Sequence, residues 1–531
     1  MTNNKSEGIN FSPSHVAIIG CGFAGTSAFF QLIDRFPVKK ISVFEATGDF
    51  GPGYAYKTQE CQDYLINNTT DTMCMAPSNR QAFLNWLKKQ PEFGSNIDPK
   101  GHLPRALYGH FLKDVFSSSR AQAADKGIEV ELVPCEVTKM QETDDGRVHI
   151  SWEGGQTIVD SAIMTTGRCP GIDPYPHPPK TSKALYIPDH VLNDKLDTVS
   201  LDASIHVLGA SLSAYDVINR LFSPDTGCQF VRNANGELDY NPGPNNRKLA
   251  LISRSGRMKN MQSQNPIHIK RKYFSLGALT DLAGKGQLTL EQAANSIRME
   301  AKDHQTELDW ETMRNPYSNC SSQIELNDRA AALLREAVTK AKGDTNFLVD
   351  LFQDAQDELW DAFADQLLDL ENEQLYRTNY ETATLSYVAA CPVPTAEKLL
   401  ALIRAGRVSI IKGVRDVKLT EDGEHYEIIH QFGIEKANVL INTTGSVDRN
   451  IDSDNQTSVI KNLRKEGLLS CYERSGQKMQ GADVDIKSFR LNGAKNIYMA
   501  NMFLWGPGFF TSSALLMATI VEQILESLFD T

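Results

Sequence analysis

The chain contains no CxxC or CxxxxC pair, although nine cysteines are spread along it at positions 21, 61, 74, 135, 169, 228, 320, 391 and 471. Without paired spacing there is no zinc ribbon and no dithiol redox centre, and an odd number of scattered thiols reads as reduced and mostly buried. Cationic excess is also missing. Lys and Arg number 54 against 66 Asp and Glu, a formal charge of -12, which argues against nucleic acid or anionic membrane as the main partner. No apolar run is long enough to span a bilayer. The best candidate, Met499 to Phe529, is interrupted by Gly506, Pro507 and Gly508 and carries Glu522, Gln523 and Glu526. The opening MTNNKSEGINFSPS lacks the basic flank and apolar core of a signal peptide, so a cytoplasmic location is expected. No nucleophilic triad, paired carboxylates or metal-ligand cluster stands out, and no metal is expected.

What is present is ordinary globular composition at a length, 531 residues, that exceeds one hydrophobic core. The stretch HVAIIGCGFAGTSAFF, residues 15 to 30, runs from a β-branched strand through Gly20, Gly22 and Gly25 into a helix. In that order the first glycine permits the turn, the second lets backbone approach a pyrophosphate, and the third lets helix pack on strand. The next apolar run, KKISVFEA, ends at Glu45, placed to accept from an adenosine ribose and to repel a 2'-phosphate. FAD or NAD is expected here.

The pattern returns in SIHVLGASLSAYDVINRL with Gly209, Ser211 and Ala214. Serine and alanine replace two glycines, and a plain strand-to-helix turn is the alternative. The strand expected to follow, KLALISRSGR, comes after an insertion over 222–247 that holds an Asn235-Gly236 hairpin turn, and it ends in Ser253 and Arg254. A guanidinium there suits a 2'-phosphate, which favours NADPH over NADH; a surface arginine is the alternative. Two sites of opposite preference imply that FAD stays bound while NADPH delivers hydride.

Two stretches, VDSAIMTTGRCPG ending its strand at Gly167 and ANVLINTTGSVDR at Gly445, echo one another as exits between domains. The C-terminal part then offers a strand, a turn through Gly508, and a helix capped by Thr511, Ser512 or Ser513, with its start aimed at the flavin or merely capped. The expected fold is α/β, with two Rossmann-like dinucleotide-binding domains and a helical insertion. Its divisions are 1–170 for the first part of an FAD domain, 171–275 for an NADPH domain, 276–375 for the helices and 376–531 for the second part of the FAD domain. In the helical stretch, Thr289 and Gln292 form a capping box, and Leu348, Leu351, Phe352, Leu359, Phe363 and Leu367 lie on one stripe. That stripe reads as helix packing on the core, with substrate cover or a subunit contact as alternatives.

The segments GPGYAYKT, DYLINNTTDTMCMAP, AFLNWL and HLPRALYGHFLKDVF follow the first fingerprint in an order that resembles the FAD–NAD(P)-binding family related to class B flavoprotein monooxygenases. The likeness covers residues 15–167 closely. The Gly209 fingerprint and the closing INTTG are similar, more loosely, to the amino-acid and amine N-hydroxylases. The resemblance implies that Gly51 and Gly53 approach the ribityl chain, that Asn67 and Met73 line the flavin, and that Arg105 serves the cofactor. Tyr108 and Trp505 are further candidates for the flavin face. Three features depart from the family: the C-terminal region lacks its Glu-Thr-Thr, YRTNYETATLSYVAACPVPTAEKLL lacks its Arg-His-Arg, and no FxGxxxHxxx follows the first exit. The expected activity is an FAD-dependent, NADPH-consuming monooxygenase that acts with O2, through a flavin C4a-hydroperoxide, on a small molecule. An amine or amino-acid nitrogen is the favoured target. An NADPH-dependent flavin reductase or dehydrogenase and a non-catalytic nucleotide-binding sensor are the alternatives, and a homo-oligomer is compatible with all three.

Overall fold

A computed structural model describes residues 13–93, 97–191, 194–343 and 346–529; of the opening stretch tested for a signal, residues 1–12 lie outside them. The chain forms two compact units. One comprises residues 1–58, 69–171 and 447–531, and the other 59–68 and 172–446.

The first unit is built on a seven-stranded sheet. Its strands run, side by side, Val484–Asp485, Arg490–Leu491, Ile497–Met499, Ser161–Met164, His15–Ile19, Lys40–Phe44 and Glu129–Val133. The last five pair in parallel, and the first two join antiparallel. The central strands are apolar without alternation because both faces are covered: Val16, Ala17 and Ile18 have no exposed surface. Helix Phe23–Arg35 packs against helix Ala514–Leu528, where Gln31 donates to the Ala518 carbonyl at 3.3 Å and Arg35 pairs with Glu522 and Glu526.

The second unit repeats the plan. Its parallel sheet runs Val408–Lys412, Lys248–Ser253, Ser204–Leu208, Val439–Asn442 and Leu185–Ile187. In both sheets the Thr-Thr-Gly strand lies beside the fingerprint strand, then comes the strand that ends at the ribose position, then a further parallel strand. In both, a three-stranded antiparallel sheet precedes the Thr-Thr-Gly strand, over Val137–Val159 and Asp416–Ala437. The two Rossmann-like domains of an α/β fold are thus present.

Two boundaries differ from expectation. The return to the first unit, expected at residue 376, comes at Val447, because Val408–Lys412 and Val439–Asn442 add to the second sheet. The helices expected as a separate insertion over 276–375 continue to Val388 and belong to the second unit. Helix Gln323–Lys342 sets Leu326, Ala330 and Leu334 in one core with Leu249, Leu251 and Val408 of the sheet. The capping box at Thr289 and Gln292 forms with both reciprocal hydrogen bonds. The apolar stripe is split into helices Phe347–Asp354 and Gln356–Ala364 by a step at Ala355, yet Leu351, Phe352, Leu359 and Phe363 are all buried.

Among the described residues no helix is long and apolar enough to cross a membrane. All nine cysteines are free thiols, and six are buried.

Candidate nucleotide sites

Each fingerprint glycine closes the same turn. Gly20 has φ +96°, and its N–H donates to the Phe44 carbonyl at 2.8 Å; Gly209 has φ +115°, and its N–H donates to the Ile252 carbonyl at 2.8 Å. A side chain is refused at both places by the Thr-Thr-Gly strand. A Cβ on Gly20 would lie 2.7 Å from the Thr165 carbonyl oxygen, and one on Gly209 would lie 2.8 Å from Thr443 Oγ1. Those threonines lock the turns from the side. Thr165 Oγ1 donates to the Ile19 and Gly20 carbonyls at 3.2 and 2.6 Å, and Thr443 Oγ1 donates to the Leu208 carbonyl at 2.8 Å. Sequence spacing shows the Thr-Thr-Gly repeats but not that their hydroxyls hold the glycine turns, since the partners are more than 140 residues apart.

In the first unit Gly22 and Gly53 meet backbone to backbone: a Cβ on Gly53 would sit 2.6 Å from Gly22 Cα. Gly51 donates its N–H to the Cys21 carbonyl at 2.9 Å, so the 51–53 turn buttresses the fingerprint loop. A Cβ on Gly25 would come within 2.0 Å of the Gly20 oxygen, the close helix approach that the third glycine was expected to allow. Helix Phe23–Arg35 starts from Gly22 with no side-chain cap, which leaves its first N–H groups available to an anion. Glu45 faces the same loop. Its carboxylate accepts from Cys21 N at 2.9 Å and from Thr47 N and Oγ1 at 3.1 and 2.8 Å.

Beside these groups lies a cavity of about 200 Å³ whose lining includes Gly20, Glu45, Thr166, Arg168, Thr457 and Phe503. Arg168 was not foreseen. It donates to the Tyr54 hydroxyl at 2.5 Å and stacks over that ring at 4.9 Å, which brings a cation to a cavity that otherwise offers Glu45 and Glu136. Farther along, Gly167 has φ +68° with open space on its Cβ side, and its carbonyl accepts from Met502 N. Gly508 is buried and donates to the Leu504 carbonyl at 3.0 Å. Thr511 is 4% exposed, and its hydroxyl finds no partner among the described residues. The cap of helix Ala514–Leu528 is Ser513, whose side chain accepts from Leu516 N. An open helix start, an acceptor at the ribose position and a cavity beside them together fit a dinucleotide such as FAD.

The flavin-face candidates are divided between the two units. Tyr108 has no exposed surface, donates to the Cys74 carbonyl at 3.2 Å and packs among Tyr56, Phe83 and Phe111, so it is a core residue and not a cavity wall. Met73 is 1% exposed in the same unit. Asn67 falls in the second unit, where its carbonyl accepts from Gln262 Nε2 at 2.6 Å. Trp505 is half-buried under Arg449, 4.5 Å above its ring, and Arg105 is half-buried at the first turn of helix Arg105–Asp125.

In the second unit Ser211 precedes helix Leu212–Leu221 without capping it, and Ala214 is buried where the first site has Gly25. Ser253 Oγ accepts from Gly256 N at 2.9 Å and so shapes the turn after its strand. The Arg254 side chain is exposed and makes no hydrogen bond or ion pair among the described residues. Arg257 is different. Its guanidinium donates to the Met313 carbonyl at 2.9 Å and to the Arg314 carbonyl, and burial pulls its pKa below the usual arginine value.

Fold and sites define a protein with two dinucleotide-binding folds, one suited to FAD. Residues 17–169 match the family model described as FAD-NAD(P)-binding. No curated protein sequence matches the chain. Among solved structures it is similar to L-lysine 6-monooxygenase from Pseudomonas syringae, with 14% identity over 97% of this chain and 99% of that one and a TM-score of 0.51. Ornithine N-hydroxylase from Kutzneria sp. 744 shows 14% identity over 98% and 99% with a TM-score of 0.49. Cyclohexanone monooxygenase shows 14% over 98% and 87% with a TM-score of 0.46. The first of these bears on the fold.

Proposed function

We propose that the chain is an FAD-dependent, NADPH-consuming monooxygenase that hydroxylates the nitrogen of a small amine or amino acid. The observation that carries this reading is the contrast between two matching turns: a carboxylate, Glu45, stands at the end of one ribose strand, and an unengaged guanidinium, Arg254, stands at the end of the other. Two cofactors with a defined direction of electron flow follow from that contrast. The fold shared with a lysine 6-monooxygenase and the motif resemblance support oxygen insertion at nitrogen.

Gly20, Gly22 and the start of helix Phe23–Arg35 would hold the FAD pyrophosphate, Glu45 its ribose hydroxyls, and Thr511 a further polar edge. Gly209, Ser211 and Arg254 would hold NADPH. FAD, when bound, would supply the redox chemistry that links NADPH to O2. The protein contributes rigid placement and dryness: Thr165 and Thr443 fix the turns, and the apolar strands behind them exclude water.

The test is stoichiometric. Purified holoenzyme is reduced anaerobically with NADPH or NADH, then given oxygen and a panel of amines and amino acids, while NADPH loss, peroxide release and hydroxylamine are measured. One hydroxylamine per NADPH with some member of the panel is expected. Oxygen recovered wholly as peroxide with every member would leave the flavin reductase reading in its place.

A further inference from the structure

A second cavity lies inside the second unit and is used by none of the chemistry above. It measures about 180 Å³ and is lined by Arg257, Lys259 and Asn260 from the loop after the Lys248–Ser253 strand, and by Tyr317, Leu334 and Tyr387 from the surrounding helices and turns. Its charge is unbalanced. Lys259 Nζ donates to the Leu385 carbonyl at 2.7 Å, and Arg257 donates to the Met313 and Arg314 carbonyls. Every one of those acceptors is neutral. The carboxylate in the lining, Glu336, is tied to Lys340 at 2.8 Å, and both side chains are more than half exposed.

Two cations therefore share a cavity with no carboxylate bound to either among the described residues. Burial and the neighbouring Arg257 hold the Lys259 ammonium well below its usual pKa, at about 8. Removing charges from water without a counter-ion is costly, a penalty that an anion in the cavity would offset. Lys259 keeps part of its surface accessible, as a side chain facing a cavity does. The remaining wall adds Leu334 and the two tyrosine rings, and its third cation, Lys340, is already paired with Glu336. We propose that this cavity binds a small organic carboxylate with an apolar body, its carboxylate between Lys259 and Arg257. The volume suits a ring of benzene size, for which a cavity of about 150 Å³ is enough.

The site is independent of the nucleotide assignments, and it is tested on the protein as purified, so either idea can fail alone. Benzoate is titrated by calorimetry against the wild-type protein, with benzamide as its uncharged counterpart. Benzoate should bind once per chain and at least ten-fold more tightly than benzamide. Saturating NADP+ should leave that affinity within three-fold. Lys259→Met should weaken benzoate at least ten-fold while benzamide is unchanged. That variant orphans no acceptor, since the Leu385 carbonyl also accepts from Ala389 N at 3.1 Å. Equal affinity for benzoate and benzamide in the wild type, an undiminished benzoate affinity in Lys259→Met, or complete displacement of benzoate by NADP+ would each overturn the proposal. The last result would make the cavity part of a cofactor phosphate site.

Discussion

Arg254 and Arg257 stand three residues apart at the end of one strand, and their surroundings separate what each should do. Arg254 is exposed and unengaged, so removing it costs the fold nothing and deletes whatever it offers a ligand. A charge-assisted hydrogen bond is worth roughly 1.5–3 kcal/mol, which is about 10- to 150-fold in affinity. Arg254→Ala should weaken NADPH by that factor, leave NADH unchanged within two-fold, and leave Tm where it was. Arg257→Ala should do the reverse. It withdraws donors from the Met313 and Arg314 carbonyls at the end of helix Trp310–Arg314, and each buried acceptor left bare costs about 1–3 kcal/mol. Its Tm should fall while the NADPH to NADH ratio holds. The assay is anaerobic flavin bleaching at graded NADPH and NADH, beside calorimetric melting of each variant. Equal loss of NADPH and NADH binding in Arg254→Ala would refute the assignment of the second turn to a 2'-phosphate.

Three further outcomes follow from local geometry. Gly25→Ala places a methyl within 2.0 Å of the Gly20 oxygen, so helix Phe23–Arg35 must move off its turn; a loss of about 3 kcal/mol or more and a colourless protein are expected in denaturant titration and absorbance. Ser513→Ala removes the cap on Leu516 N and should cost about 1 kcal/mol without loss of flavin. Lys259 has a folded pKa depressed to about 8 from 10.5. Below about 8 folded and unfolded chains both carry its proton, and the penalty is full; above it the folded chain sheds the proton first, so stability rises with pH up to about 10.5. Lys259→Met should therefore be more stable than wild type at pH 7, by up to about 3 kcal/mol, with the gap closing by pH 10.5. A gap that does not change with pH would count against the burial of that charge.

Local chemistry was the part of this fold that the sequence displayed well. Strands His15–Ile19, Lys40–Phe44 and Ser204–Leu208 announce themselves as β-branched runs followed by glycine, and the Thr289 capping box needs only four neighbouring residues. Non-local pairing was hidden. Val408–Lys412 and Val439–Asn442 look like any buried strands, and nothing in their composition says that they join Lys248–Ser253 and Ser204–Leu208 in place of the first sheet. The expected return near 376 fell short of Val447 for that reason. Of the candidate site, the glycines, Glu45 and Arg254 were legible because turns and strand ends fix their positions. Arg168 and the hydroxyls of Thr165 and Thr443 were not, because their roles depend on contacts made across more than a hundred residues. Tyr108, a flavin-face candidate by resemblance and position, packs among Tyr56, Phe83 and Phe111, a setting that an aromatic in a shared motif can occupy as readily as a ligand wall.

The junctions carry one more consequence. Ile172 N–H donates to the Ser446 carbonyl at 3.0 Å, and Asp448 N–H donates to the Pro170 carbonyl at 2.8 Å, so at the crossings near 171 and 447 the two ends of each unit lie within a hydrogen bond of each other. A cassette with adjoining ends can be spliced into a host, or lifted out and bridged by a few residues, without stretching either partner. Segment Gln59–Asn68 belongs to the second unit and is held there through Glu60 on Arg220 and Asp63 on Asn219 and Lys398. On the proposed function, the module that would hold NADPH could be exchanged by recombination while the one that would hold FAD is inherited intact.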